Sequence, residues 1–212
     1  VQGIAILGAI DAYIESNTVE WCQLGITVTL SGNAAIAPYT SAKIFIIDNL
    51  VKNIASTGLQ AEAISADPSA VFITVSHNLT EVSKVGIVVT SADALISSNR
   101  VRTPSGRGIY IGGGRSRVHN NYISDSGTEG IFVQDDGIYL RDNTIVNTAT
   151  GINHNSKITY ALGNETSSVA TPNANAANSR TFSTAIVLPN AVAYRSQNVD
   201  TSIRDLMLID SS

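Results

Sequence analysis

Ser116-Arg117-Val118-His119-Asn120-Asn121-Tyr122-Ile123, followed a few residues later by Gly130-Ile131-Phe132-Val133, is a unit that this chain repeats. One period earlier stand Ala94-Leu95-Ile96-Ser97-Ser98-Asn99-Arg100-Val101 and Gly108-Ile109-Tyr110-Ile111. Working outward, an asparagine recurs at Asn17, Asn49, Asn78, Asn99, Asn121, Asn143 and Asn164, the last five spaced by 21 or 22 residues. A fixed period of this length is the signature of a solenoid, in which each coil buries its apolar face only by stacking on its neighbours.

Aligned on the asparagines, apolar residues fall into columns. Three positions before each Asn stand Ile14, Ile46, Val75, Ile96, Val118, Leu140 and Ala161; two after it stand Val19, Val51, Thr80, Val101, Ile123, Ile145 and Thr166. This period-two alternation on both sides of the Asn predicts two short strands with alternate residues facing inward. A third strand opens with glycine: Gly25-Ile26, Gly58-Leu59, Gly86-Ile87, Gly108-Ile109, Gly130-Ile131 and Gly151-Ile152, with Gly3-Ile4 as the first of the set. Three such strands per coil make an all-β prism, a right-handed parallel β-helix of about seven coils, because repetition hides the strand edges. At the bend between two strands Asn is expected to adopt a left-handed backbone, and its amide is expected to bond the Asn one coil away, about 4.8 Å distant. The repeating glycine is expected to sit where a Cβ would crowd the backbone.

These units resemble the β-helix repeats of the pectin-lyase-like superfamily, over residues 3 to 164. The resemblance implies the same right-handed parallel β-helix. It also implies one of that superfamily's roles: polysaccharide lyase, glycoside hydrolase, sugar epimerase or phage tailspike. Location outside the cytoplasm (secreted, cell-surface or virion) and a parallel homotrimer, as in tailspikes, are further expectations from it. Only the ladder asparagines carry over residue by residue, and fold alone does not fix activity.

Composition sets limits. Of 212 residues, 43% are hydrophobic and 14% charged, with a formal net charge of -4. The broad Lys/Arg face that phosphate recognition demands is missing, so no nucleic-acid partner is expected. No run of about 18 apolar residues occurs, so no membrane insertion is expected. The chain opens directly on a repeat strand, which favours a piece cut from something longer. Cys22 is the single cysteine, more simply an apolar filler than a reactive thiol. His77, His119 and His154 fall in different columns, so no metal site and no cofactor are expected, with calcium the one ion that the acidic residues could take. After Asn164 the pattern dissolves. Residues 1–164 read as the β-helix and 165–212 as an irregular loop plus capping strands, at 182–188, 191–194 and 205–209, that close its open end.

Function is sought where regularity fails. The span from Gly25 to Asn49 is nearly twice that of the regular coils, and the span from Gly58 to Asn78 half as long again. The extra residues, around 30–43 and 64–70, are expected to wall a groove along the glycine-headed sheet. The outward positions of that sheet read Ala5, Thr27, Gln60, Val88, Tyr110, Phe132 and Asn153. Tyr110 and Phe132 are expected to stack, either as a platform for sugar rings or simply on each other. Gln134 and Glu62 lie near enough to bond hydroxyls.

Arg107 and Arg115 suit the acid group of an acidic polysaccharide, and Glu62, Glu129 and Asp135 are the candidate acid-base residues. Surface ion pairs, Arg107 with Glu129 and Arg115 with Asp136, explain much of the same pattern. Glu129 and Asp135 stand at opposite ends of one strand, too far apart for a glycosidase pair. Two readings therefore stay open: a polysaccharide-binding and degrading enzyme, or a non-catalytic structural or adhesive β-helix. A second surface also stands out. Outward residues four before each ladder Asn read Tyr13, Phe45, Thr74, Leu95, Arg117, Tyr139 and Tyr160, an apolar strip expected to be a subunit interface or to lie under a long loop.

Overall fold

In the computed structural model, residues 2–7, 11–30, 42–63, 71–155, 158–175 and 180–186 are described. Their strands form three parallel stacks. Stack A, the glycine-headed sheet, runs β1 (Gln2–Leu7), β4 (Leu24–Leu30), β7 (Thr57–Ala63), β10 (Val85–Val89), β13 (Ile109–Ile111), β16 (Glu129–Val133), β19 (Thr150–His154) and β21 (Thr171–Asn175). Stack B precedes each ladder Asn: β2 (Asp11–Glu15), β5 (Ala42–Ile47), β8 (Val71–Ser76), β11 (Leu95–Ser97), β14 (Arg117–His119), β17 (Ile138–Arg141), β20 (Ile158–Ser167) and β22 (Arg180–Ile186). Stack C follows it: β3 (Thr18–Glu20), β6 (Leu50–Lys52), β9 (Leu79–Glu81), β12 (Arg100–Arg102), β15 (Tyr122–Ser124), β18 (Thr144–Val146) and the second half of β20.

Strands of three residues persist because all but the terminal β3 are paired on both sides. Their inward residues are mostly β-branched, which suits a pleated, crowded surface. Ile26, Leu59, Ile87, Ile109 and Ile131 line one inner column, and Val51, Val101, Ile123 and Ile145 another, all fully buried. Register is that of the sequence alignment: Ile96 pairs Val118, Val101 pairs Ile123 and Ile109 pairs Ile131.

The ladder is continuous. Asn99 Nδ2 donates to Asn121 Oδ1 at 3.0 Å, Asn121 Nδ2 to Asn143 Oδ1 at 2.9 Å, and Asn143 Nδ2 to Asn164 Oδ1 at 2.8 Å. One expectation is corrected. The left-handed residue at this bend is the one before the ladder Asn: Ser16, Asp48, His77, Ser98, Asn120 and Asp142, with φ between 53° and 57°. The ladder Asn instead turns its amide into the interior, where it must meet the next amide, and the left-handed turn falls on its exposed or half-buried neighbour. A second left-handed column follows at Trp21, Asn53, Val82, Thr103, Asp125, Asn147 and Ser168. Val82 is a residue that rarely tolerates this conformation, and stacking on both sides holds it there.

The coils do not stop at Asn164. β21 pairs β19 in parallel register and β22 pairs β20, so part of the segment expected to be loop and cap is a further coil. Its weak alternation is overridden by the template strand beneath it. The other expected capping strands, at 191–194 and 205–209, residues 31–41 of the inserted segment expected around 30–43, and the segment at 64–70 lie outside the described residues; the ends of the first segment belong to β4 and β5.

Candidate functional site

The outer face of stack A carries the expected row in register: Val88 pairs Tyr110, Tyr110 pairs Phe132, and Phe132 pairs Asn153. Because strand residues alternate faces, Tyr110 at the centre of β13 and Phe132 in β16 must both point outward once Ile109, Ile111, Ile131 and Val133 are buried. Their rings stack with centroids 5.5 Å apart and planes 10° from parallel.

Arg107, in the bend before β13, folds over this pair. Its guanidinium carbon lies 3.9 Å from the centroid of Phe132 and 5.4 Å from that of Tyr110. Its Nε meets Glu129 Oε2 at 3.3 Å. Phe132 is consequently only 8% exposed. The expectation that Phe132 offers its face to a sugar is corrected: it is the floor on which Arg107 and Tyr110 rest. Tyr110 remains half-exposed, and its hydroxyl hydrogen-bonds the exposed Gln134 just beyond β16.

Glu129 is occupied from three sides. Thr128 Oγ1 donates to Oε2 at 2.5 Å, Asn153 Nδ2 to Oε1 at 3.2 Å, and Arg107 to Oε2. Burial acts to raise its pKa, but the Thr128 and Asn153 hydrogen bonds and the Arg107 charge together outweigh burial and hold the carboxyl below its ordinary value. A general acid needs the opposite shift. Titrating the Glu129 side-chain carbon by NMR should give a midpoint below the usual carboxylate value of about 4.3, and an upward midpoint would restore it as an acid. The sign fixes the linkage: the carboxylate's contribution to stability is present above about pH 4 and is lost only as pH falls through the lowered pKa. Thr128 and Asn153 were missed as partners, although the one-coil offset from Phe132 to Asn153 was a readable signal.

The other candidates separate. Arg115 pairs Asp93 one coil back, Nη2 to Oδ2 at 2.6 Å and Nε to Oδ1 at 3.0 Å, and the Asp93 hydrogen bond raises its pKa. The expected side-chain pairing with Asp136 is replaced by a backbone bond, Arg115 N–H to the Asp136 carbonyl at 3.3 Å. Asp93 and Arg115 both turn left-handed at the same corner, which brings their side chains together. Asp135 is exposed in the bend after β16. Glu62 lies in β7, in register with Thr29, and its side chain is outside the described residues.

Short parallel strands wound in three stacks around an internal amide ladder define a right-handed parallel β-helix with a polar and aromatic outer row. The chain belongs to the family described as periplasmic copper-binding protein (NosD), whose model matches residues 1–164 of 212. No curated protein and no solved structure matches. The family description is periplasmic, which agrees with a place outside the cytoplasm. No helix among the described residues is long and apolar enough to cross a membrane.

Copper prefers thiolate, thioether and imidazole donors, and the whole chain has one Cys, one Met and three His. Cys22 is buried and donates its thiol to the Leu24 carbonyl at 3.0 Å. His77 lies at the bend before Asn78, His119 in β14 two coils on, and His154 fully buried in β19 beyond that. Two coils are about 10 Å apart, too far to share an ion. Met207 lies outside the described residues. No group of three or more His, Cys, Asp or Glu able to hold a metal ion occurs among the described residues. The described coils therefore do not fit copper.

Proposed function

We propose that this chain is a non-catalytic, glycan-binding β-helix that works outside the cytoplasm and takes an acidic polysaccharide on the outer face of stack A. The observation that carries the reading is the row Arg107, Tyr110 and Gln134. It places a cation, an aromatic edge with its hydroxyl and an exposed amide side by side on one face of the sheet. Arginine meets carboxylate or sulfate in bidentate fashion, and a phenol beside an amide suits sugar hydroxyls. Glu129 orients Arg107 from below.

The degradative reading has less support. Hydrolysis needs one carboxyl that keeps its proton and a second placed across the bond, and Glu129 is shifted the other way. Copper binding is not carried over from the family description, because no such donor group assembles among the described residues.

Calorimetry with oligogalacturonate, and with a neutral gluco-oligosaccharide as control, tests the proposal. Arg107→Ala and Tyr110→Ala should each weaken the acidic ligand by about tenfold or more, equal to about 1.4 kcal/mol. Binding unchanged in both variants overturns this placement. Release of new reducing ends, or of unsaturated uronate absorbance, overturns the non-catalytic reading.

A further inference from the structure

The groups of the glycan row that stay open to solution lie in a line along the strands, not along the stack. Tyr110 and Phe132 stack one coil apart with planes 10° from parallel, so their ring faces look along the helix axis and it is an edge of Tyr110 that looks outward. That edge follows β13. A Cβ added at Gly112 would stand 3.0 Å from Tyr110 Cε1 and 3.4 Å from its hydroxyl oxygen, which places the phenol over Gly112. Gly112 has no left-handed backbone angle, so what glycine supplies there is room for the ring. From this position the Tyr110 hydroxyl donates to Gln134 Oε1.

Arg107 stands at one end of the line. Its Nε is spent on Glu129, while Nη1 and Nη2 make no hydrogen bond among the described residues, which leaves the end of the guanidinium fork for a carboxylate. Gln134 stands at the other end. With Oε1 taken by Tyr110, its Nε2 remains as a donor. Along the helix axis the same face offers much less. Val88 is aliphatic, Phe132 lies under Arg107 at 8% exposure, and Asn153 Nδ2 is held by Glu129 Oε1 at 3.2 Å.

From this alignment, and resting on the glycan-binding reading above, we infer that the acidic polysaccharide crosses stack A along the strands, perpendicular to the helix axis. The site then reads a short unit: an acid group at Arg107, apolar ring atoms on the Tyr110 edge, and a sugar oxygen at Gln134, which sets specificity at the second end. From Arg107 to Gly112, beside Gln134, the strand path is at most about 17 Å, which about three sugar rings fill. A ligand laid lengthwise, in the groove expected from the inserted segments, would instead run over eight strands, about 34 Å, and meet Val88 and Gln60.

Calorimetry with trigalacturonate and hexagalacturonate in about 0.15 M salt separates the two paths. If the ligand crosses the strands, the hexamer gains only by sliding over four registers, about fourfold at most. If it runs lengthwise, further rings meet further coils and the hexamer binds about tenfold tighter or more. Two like substitutions test direction. Gln134→Glu keeps the acceptor for Tyr110, removes the donor and should weaken the trimer about tenfold. Gln60→Glu sets the same charge two coils from Tyr110, about 10 Å away and beyond the Debye length of about 8 Å, and should change affinity less than about twofold. Circular dichroism should be unchanged in both. A hexamer bound about tenfold tighter than the trimer, or a loss in Gln60→Glu as large as in Gln134→Glu, overturns the crossing and leaves glycan binding standing. No binding of either oligomer by the wild type overturns the glycan reading itself, and the crossing with it.

Discussion

Asn121→Ala is expected to cost about 3 to 5 kcal/mol of unfolding free energy, because it strands several buried polar groups at about 1 to 3 kcal/mol each. Asn121 Oδ1 accepts from the Asn99 backbone N–H at 2.9 Å and from Asn99 Nδ2 at 3.0 Å. Its own Nδ2 donates to the carbonyls of Ile96 and His119 at 3.0 and 3.1 Å and to Asn143 Oδ1 at 2.9 Å. Asn121 is itself 1% exposed, and water cannot replace these partners where Ile96 and Ile123 pack around them. The backbone N–H of Asn99 loses its acceptor outright.

Asn121→Asp should be worse than alanine. It keeps the acceptor but aims a carboxylate oxygen at two carbonyls and an amide oxygen in a site that admits no counter-charge. Urea denaturation followed by circular dichroism measures both variants. In a solenoid each coil depends on its nearest neighbours, so a central coil is the sensitive place. Equal stability of Asn121→Ala and the wild type would show that the ladder decorates the coil without holding it.

Much of this was legible in the sequence because a period is a matter of counting. Once Asn99 and Asn121 are aligned, Ile109 must pair Ile131 and Tyr110 must pair Phe132, and they do. What counting cannot give is the direction a long side chain takes from its register position. Arg115 has a neighbour on each side, Asp93 one coil back and Asp136 one coil on, and it turns to Asp93 because both share the left-handed corner.

Glu129 was legible as the partner of Arg107. Its loss of acid character depends on Thr128 and on Asn153 a coil away, a three-body arrangement that no pairwise spacing reports. The burial of Phe132 has the same origin, since an outward position is exposed only if nothing folds back over it, and Arg107 does. The left-handed residue was misplaced by one position because Asn favours that conformation intrinsically, while here the amide is worth more inside the coil.

Gly108→Ala is the second large effect, expected at about 3 kcal/mol or more, at the upper end of what overpacking costs. Gly108 has no left-handed backbone angle, so the reason is contact alone. A Cβ added there would stand 2.5 Å from the Gly130 carbonyl oxygen and 2.5 Å from Ile123 Cγ2. Neither can retreat, since the first is main chain and the second is fully buried between coils. Gly108 is also pinned in place, its N–H donating to the Glu129 carbonyl at 2.9 Å and its carbonyl accepting from the Ile87 N–H at 3.0 Å.

Gly137→Ala supplies the contrast. There φ is 74° and the nearest atom would be 3.6 Å away, so only the left-handed penalty of about 1 to 2 kcal/mol applies. Urea midpoints of the two variants should therefore differ, with Gly108→Ala the less stable. Because Gly108 follows Arg107 and bonds Glu129, any relief of the clash moves both partners under Tyr110. The variant that loses stability should thus lose oligogalacturonate affinity as well, while Gly137→Ala should keep it. A Gly108→Ala protein as stable as Gly137→Ala would show that the coils can spread locally, and the rigid sheet on which the glycan row depends would be wrong.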